Sequence, residues 1–253
     1  MDREGIGGVG DARAAERADV ETASEEYAGR FAGPVGEWFV SLQSRITLRL
    51  MAGLPAGARV LDVGGGHAQI APALAAAGYR TTVAGSAPAA AARLGDLIAA
   101  GSLTFDTVCF SRLPYADRSF DAAVCFRLLP HFAEWKELIA ELCRVTRVRV
   151  VVDYPSIRSV NFASARLFGL KKRVEGNTRP FGLFHPSEIE AAFRSRGFRL
   201  SASVAQYFFP MALHRAHGSL LVARGIEAPA RWIGLTQRLG SPVIARADRL
   251  EPG

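Results

Sequence analysis

The run Arg59-Val-Leu-Asp-Val-Gly-Gly-Gly-His67 constrains this chain more than any other stretch. Val60 to Val63 reads as a short apolar strand carrying one acid, Asp62, and it leads straight into three glycines. An alanine-rich stretch, 68–77, follows and reads as a helix. A strand, a glycine turn and a helix in succession bring a nucleotide-like ligand against bare backbone. Glycine has no Cβ to hold the ligand away and adopts positive φ, and a helix start offers free N–H groups.

The stretch after this turn alternates. Strands are expected at 59–63, 80–84, 103–109, 120–126 and 145–153, with helices at 68–77, 87–93 and 132–143 between them. Such alternation predicts a parallel, doubly wound α/β sheet with helices on both faces. Ligands then bind beyond the carboxyl ends of the strands, where the strand order reverses. Gly64–Gly66, Gly85-Ser86, Phe110-Ser111, Phe126-Arg127 and Asp153-Tyr154 all fall on that edge.

The flanks are less regular. Residues 1–22 lack periodicity and predict a disordered start, and 23–54 predicts an N-terminal helical cover with Leu42, Ile46 and Leu50 on one face. Residues 55–155 form the ligand-binding core. Residues 156–253 supply the remaining strands and a helical lid of the same domain. Within them, 160–170 reads as helical, 171–180 as a basic connector, and His185-Pro-Ser187 as a helix start with Ser187 as N-cap and Glu190 at the third helical position. A strand at 198–209, helices over 211–239 broken near Pro229, and a strand at 241–246 complete the expectation.

With 253 residues the chain is long enough to bury a real core. Its net charge of +7 comes from 31 basic and 24 acidic residues, and nine arginines lie between Arg194 and the end. This reads as an arginine-rich solvated surface rather than a nucleic-acid site, with the late cluster suited to an anionic substrate or a membrane surface. Cys109, Cys125 and Cys143 lack zinc spacing and read as reduced thiols, so no metal is expected. With neither a leader segment nor an apolar run near the ~20 residues of a membrane helix, a cytoplasmic protein without stable membrane insertion is expected.

The spacing at the turn discriminates between ligands. In a dinucleotide fingerprint counted from Gly64 and Gly66, the third glycine would fall at Gln69, whose side chain obstructs close helix packing. No Gly-Lys-Ser/Thr follows for a phosphate loop. Asp62 suits a ligand with an ammonium group; a carboxylate capping the next helix is the structural alternative.

Val60-Leu-Asp-Val-Gly-Gly-Gly-His-Ala68 resembles motif I of class I S-adenosylmethionine-dependent methyltransferases. Leu113-Pro-Tyr-Ala-Asp-Arg-Ser-Phe-Asp121, Phe126-Arg-Leu-Leu-Pro-His131 and Glu141-Leu-Cys-Arg-Val145 resemble three further segments of that family, in order and at its spacing. The set is most similar to the ubiquinone/menaquinone-biosynthesis type of small-molecule methyltransferase. The resemblance covers about residues 58–155. It implies a Rossmann-like, mostly parallel seven-stranded sheet and S-adenosyl-L-methionine as cofactor. Asp62 would reach toward the methionine ammonium, Gly64, Gly65 and Gly66 would pass under the methionine and ribose, and backbone at Phe126 and Arg127 would face the methionine.

Two departures stand out. Where the family ends its second strand with an acid for the ribose hydroxyls, this chain has Gly85, followed by Ser86. Where an acid often holds the adenine amino group there is Cys109, followed by Phe110, a ring suited to stacking on adenine. Without the ribose acid, cofactor binding weakens roughly ten- to a hundredfold unless another group substitutes.

Methyl transfer requires alignment and dryness more than acid–base chemistry. If the acceptor must lose a proton, His131 is the candidate base, since imidazole ordinarily titrates near ~6.5, or else a histidine bonded to backbone. Tyr154 is placed to orient the acceptor, and Asp153 to assist or cap. His67 and His185 read as structural. Tyr27, Arg30 and Phe31 place a ring and a cation over the cofactor or simply pack, and Gln206 to Trp232 reads as a lid for an apolar or anionic acceptor. The reading is a methyltransferase for a small-molecule acceptor at O, N or C, with no nucleic-acid substrate and with late helices apolar enough to pair a homodimer. The alternative is a methyltransferase-like binding or regulatory protein without catalysis, favoured by Gly85 and Cys109.

Overall fold

The structure, a computed structural model, describes residues 18–159 and 182–251. Their strands are β1 (Arg59–Val63), β2 (Arg80–Gly85), β3 (Leu103–Thr107), β4 (Phe120–Cys125), β5 (Thr146–Tyr154), β6 (Phe198–Tyr207) and β7 (Ser241–Arg249). They form one seven-stranded sheet in the order β3-β2-β1-β4-β5-β7-β6. β1 to β5 run parallel, and β7 lies antiparallel between β5 and β6.

The chain winds from β1 to β3 on one side, then returns to place β4 on the other side of β1. The switch point therefore lies between β1 and β4, where a doubly wound sheet opens a ligand crevice. Register completes the edge: Val63 pairs with Ala84 and Cys125, and Cys125 with Val152. The glycine turn, Gly85-Ser86, Phe126-Arg127 and Asp153-Tyr154 lie together at the carboxyl edge of the sheet.

Alternation along the strands decides which side chains meet. Leu61, Val63, Ala123, Cys125, Val150 and Val152 share one core with Leu138, Ile139 and Leu142 of α6 (Trp135–Val145) and with Ile189 and Phe193 of α7 (Pro186–Arg194). Val60, Ala122, Val124 and Val151 face a second core with Ile46, Leu50 and Met51 of α3 (Gly33–Met51) and with Leu74 of α4 (Ala71–Ala76). Each buried Val, Leu, Ile, Met or Phe side chain among these contributes ~1.5–3 kcal/mol, so the two faces hold helices on both sides of the sheet. Arg149, buried on β5, pairs with Asp248 at 2.8 Å and donates to the Leu50 and Ala52 carbonyls at the end of α3. A cation there also suits the negative end of the helix.

Several elements differ from expectation. The helix expected at 68–77 does not begin until Ala71, because a 3₁₀ turn at Gly65–His67 ends with Ala68 at φ 55°. The stretch 87–93 forms a 3₁₀ turn, Pro88–Ala91, and α5 (Gly95–Ala99) follows it. Pro186 occupies the first turn of α7, so His185 is the N-cap and Glu188 its capping-box partner; the expected pair Ser187 and Glu190 lie inside the helix. The late helical segment forms α8 (Met211–His217), α9 (Leu220–Trp232) and α10 (Leu235–Leu239), broken at Gly218 and Gly234 with positive φ, while Pro229 stays within α9. The unstructured start is corrected at its end, where α1 (Ala18–Thr22) is helical; α2 (Glu25–Gly29) lies within the expected helical cover, ahead of α3. Residues 1–17, and the helix and connector expected at 160–180, lie outside the described residues.

Candidate functional site

The glycine turn is built around Asp62. Gly64 takes φ +76°, and its N–H reaches the Ala84 carbonyl at 2.8 Å, tying β1 to β2. A Cβ on Gly65 would run into the Asp62 carboxylate, and one on Gly66 into the Ala90 carbonyl. The glycines are therefore required by the protein's own atoms, before any ligand arrives. Asp62 is completely buried and neither carboxylate oxygen has a hydrogen-bond partner. Burial lifts its pKa to about 7; the Ala71 N–H dipole offsets this in part without reaching hydrogen-bond geometry. A buried carboxylate without partners is costly, and such groups gather at binding sites.

His67, on the same turn, is buried and its Nδ1 accepts from the Gln69 N–H at 3.2 Å. Burial and the charge of Arg127 lower its pKa to about 3, so it is neutral at physiological pH.

Across the crevice, Arg127 follows β4 at φ +60°, an uncommon conformation for a residue with a side chain. The Asp153 carboxylate stabilises it by accepting the Arg127 N–H at 2.6 Å. Asp153 is itself buried, which raises its pKa to about 6 against the opposing charge of Arg127. The Arg127 guanidinium donates to Tyr27 Oη and Gln43 Oε1, each at 2.9 Å, and lies 4.2 Å over the Phe31 ring. The Phe126 side chain is buried in the second core beside Ile70, leaving its backbone at the edge.

At the end of β2 the structure holds an acid that sequence reasoning missed. Asp19 of α1 accepts from both the Ser86 N–H (2.7 Å) and the Ser86 hydroxyl. It is buried, and desolvation raises its pKa against the hydrogen bonds from Ser86. α1 thereby lies against the glycine turn and the Pro88–Ala91 turn. A Cβ on Gly85 would come within 2.6 Å of the Phe105 ring and 3.0 Å of Ala90 Cβ, so no side chain fits there. Asp19 escaped the sequence reading because a five-residue helix has no periodicity to detect. Gln43 carried a signal: it sits among Phe39, Ile46 and Leu50 on the apolar face of α3, where a polar residue needs a partner.

The remaining candidates disperse. Cys109 is exposed with Sγ 2.9 Å from Ser111 Oγ, whereas the Phe110 ring is wholly buried in the first core and offers no face for stacking on adenine. His131 ends a 3₁₀ turn and lines a cavity of about 190 Å³ with Trp135, Phe184 and Glu188. Tyr154 is buried in the first core 6.2 Å from Phe184, and burial raises its hydroxyl to about 12. The structure thus brings His131 and Tyr154 each to the neighbourhood of Phe184, and Asp62 and Arg127 to facing strand ends.

A family model described as a methyltransferase domain matches residues 38–203, from α3 through most of β6. The chain belongs to that methyltransferase family. An "Uncharacterized methyltransferase" of Mycobacterium avium is 37% identical over 92 residues, a match spanning 36% of this chain and 36% of that protein. Among solved structures, magnesium protoporphyrin IX methyltransferase (ChlM) of Synechocystis PCC 6803 with bound SAM superposes with a TM-score of 0.63, covering 97% of this chain and all of that one at 15% identity. The [4+2]-cyclase SpnF superposes at 0.57, covering 83% and 81% of the two chains at 21% identity. Both likenesses are of fold. Among the described residues no helix is long and apolar enough to cross a membrane.

Proposed function

We propose that this protein is an S-adenosylmethionine-dependent methyltransferase acting on O, N or C of a small-molecule acceptor, of the ubiquinone/menaquinone-biosynthesis type that its four motifs resemble. One observation carries the reading: Asp62 stands buried at the switch point with both oxygens unpartnered, under three glycines that keep the turn low. That arrangement fits a ligand bringing an ammonium group onto backbone, as this cofactor does. When bound, the cofactor supplies a methyl group on a positively charged sulfur, activated for in-line displacement.

The chain's own work is to bind and orient. Asp62 holds the ammonium, and the backbone of Gly64, Gly65, Gly66, Phe126 and Arg127 lines the methionine side. Gly85, Ser86, Cys109 and Phe110 border the adenosine side through backbone, and the Asp19 carboxylate, held by Ser86, stands beside them. α1 and α2 cover the edge and exclude water. Tyr154, protonated to about pH 12, serves as a hydrogen-bond donor rather than a base, and His131 remains the group for an acceptor that must lose a proton. The exposed Leu221, Trp232 and Ile233 of the late helices are the surface for the expected homodimer.

A second reading, a related fold that binds without transferring methyl, draws on one observation: Asp19 already occupies both Ser86 donors. Calorimetric titration separates the two. Micromolar binding of S-adenosylmethionine and S-adenosylhomocysteine, with none of NAD, supports the methyltransferase. Absence of binding at millimolar concentration refutes it.

A further inference from the structure

A cavity of about 290 Å³ opens at the amino edge of the sheet, among Asp117, Arg118, Glu141, Arg144, Arg196 and Arg249. The crevice of the glycine turn lies at the other edge. Topology collects these residues. Arg118 precedes β4, Glu141 and Arg144 lie in the second half of α6, which runs into β5, and Arg196 lies between α7 and β6. Arg249 ends β7, which runs antiparallel to its neighbours and so finishes where they begin. Arg249 pairs in register with Phe198, and the Leu250 N–H reaches the Gly197 carbonyl at 2.8 Å, which sets the end of β7 beside the Arg196 turn.

The acids of this wall are engaged within it. Arg144 donates to both Glu141 oxygens, at 2.8 and 2.7 Å, and to Asp117 at 2.8 Å. Arg249 is held by carbonyls instead. Its Nε donates to that of Arg147 at 3.1 Å, and one terminal nitrogen donates to those of Cys143 and Thr146, each at 2.6 Å. These bonds cover carbonyls at the end of α6 that would otherwise repel an anion. They leave the other terminal nitrogen of Arg249 without a hydrogen bond among the described residues. The Arg118 backbone is fixed at φ 54°, with its N–H on the Arg144 carbonyl at 2.9 Å. The Arg118 and Arg196 guanidinia have no hydrogen bond or ion pair among the described residues.

Of the six charged side chains lining the cavity, four are arginines and two are acids, so two positive charges are in excess. Desolvation lowers the Arg249 pKa, and the like charge of Arg118 lowers it further. Cys143 also lines the cavity, but burial raises its thiol to about 12 against the charges of Arg249 and Arg196. The thiol is therefore no nucleophile at neutral pH, and the cavity is suited to binding rather than reaction.

We propose that Arg118, Arg196 and Arg249 bind a phosphate group, free or as the ester of a small molecule, at a site separate from the crevice. The excess charge answers a phosphate, which carries ~−1.5 to −2 near neutral pH, better than a single carboxylate. Guanidinia arriving from three elements also offer forked donors to its several oxygens.

The test titrates the full chain with inorganic phosphate, glycerol 3-phosphate and acetate by calorimetry at constant ionic strength, with and without saturating S-adenosylhomocysteine. Saturable millimolar binding of phosphate, unaffected by S-adenosylhomocysteine, is expected. Arg118→Gln and Arg196→Gln, both at exposed positions, should each weaken it about fivefold or more, and the double variant should abolish it. Arg224→Gln makes the same change of charge at an exposed position on α9 and should leave it unchanged. Tighter binding of glycerol 3-phosphate than of phosphate identifies an ester as the ligand, and the reverse identifies the free ion. Absent saturation, unchanged affinity in the double variant, or acetate binding as tight as phosphate would overturn the proposal. So would phosphate binding that S-adenosylhomocysteine abolishes, since that binding belongs to the crevice. The site does not depend on the methyltransferase reading: phosphate binding lost in the double variant sustains it even if S-adenosylhomocysteine does not bind.

Discussion

The two strand ends that face each other across the crevice are opposites. At the end of β1 a buried carboxylate, Asp62, has no partner at either oxygen. At the end of β4 a guanidinium, Arg127, is held by Tyr27, Gln43 and Phe31. Both are charges withdrawn from water, but the protein treats them differently. It positions the guanidinium with neutral groups, while the Asp153 carboxylate that couples to it bonds the Arg127 main-chain N–H instead. It gives the anion only the partial help of the Ala71 N–H, and burial lifts its pKa to about 7. A site that keeps opposite charges apart and unsatisfied is organised for a ligand that meets them separately: a cationic group at β1 and an anionic one at β4.

Removing the negative side should have the largest effect. Asp62→Asn is expected to weaken S-adenosylmethionine binding more than a hundredfold by calorimetry while stabilising the ligand-free protein. The sign follows from linkage. The folded pKa lies above the unfolded value of 3.8, so the unfolded chain ionises first as pH rises. The resulting cost grows from about pH 4 to pH 7, where it levels off at ~4 kcal/mol. Urea melts at pH 5 and pH 8 should show ~3 kcal/mol of that loss in the wild type and much less of it in the variant. Cofactor affinity should rise through pH 7 as Asp62 ionises; a flat profile would break the comparison.

Gly65→Ala crowds the same carboxylate from above. A loss of ~2–4 kcal/mol in folding stability is expected, read from the midpoint of chemical denaturation. Because the obstacle is the Asp62 side chain, the double variant with Asp62→Ala should recover a large part of it. Full additivity of the two losses would show that the glycine serves something else.

The smallest effect belongs to the positive side. Asp153→Ala leaves the Arg127 N–H without its acceptor and should cost ~1–3 kcal/mol. Asp153→Asn keeps an acceptor oxygen and should retain most of that stability. It also removes an acid whose charge couples to Arg127, so an anion such as phosphate should bind beside the guanidinium a few-fold more tightly. Unchanged phosphate affinity would indicate that Asp153 does not oppose the charge of Arg127.

Much of this was legible before the fold was seen. Strand alternation placed the glycine turn, Gly85-Ser86, Phe126-Arg127 and Asp153-Tyr154 on one edge, because period-2 patterning and short crossovers leave few ways to stack such strands. The missing acid after β2 was legible too, although what stands there was not. Asp19 lies 67 residues upstream of Ser86, in a segment without periodicity. Phe110 followed a strand as an adenine-stacking residue would, yet packing turned its ring into the core. Ala68 looked like the first residue of a helix, but the turn around Asp62 puts it at positive φ and delays α4.

The sequence by itself determined the sheet, its ligand edge and the chemistry of the turn, since local pattern and glycine placement act over a few residues. Only tertiary structure decided which charges meet. Whether Asp62 is solvated or stranded, whether Arg127 faces Tyr27 or an acid, and which carboxylate reaches Ser86 depend on side chains far apart in the chain. Burial sets the strength of those interactions, and burial is a property of the whole fold.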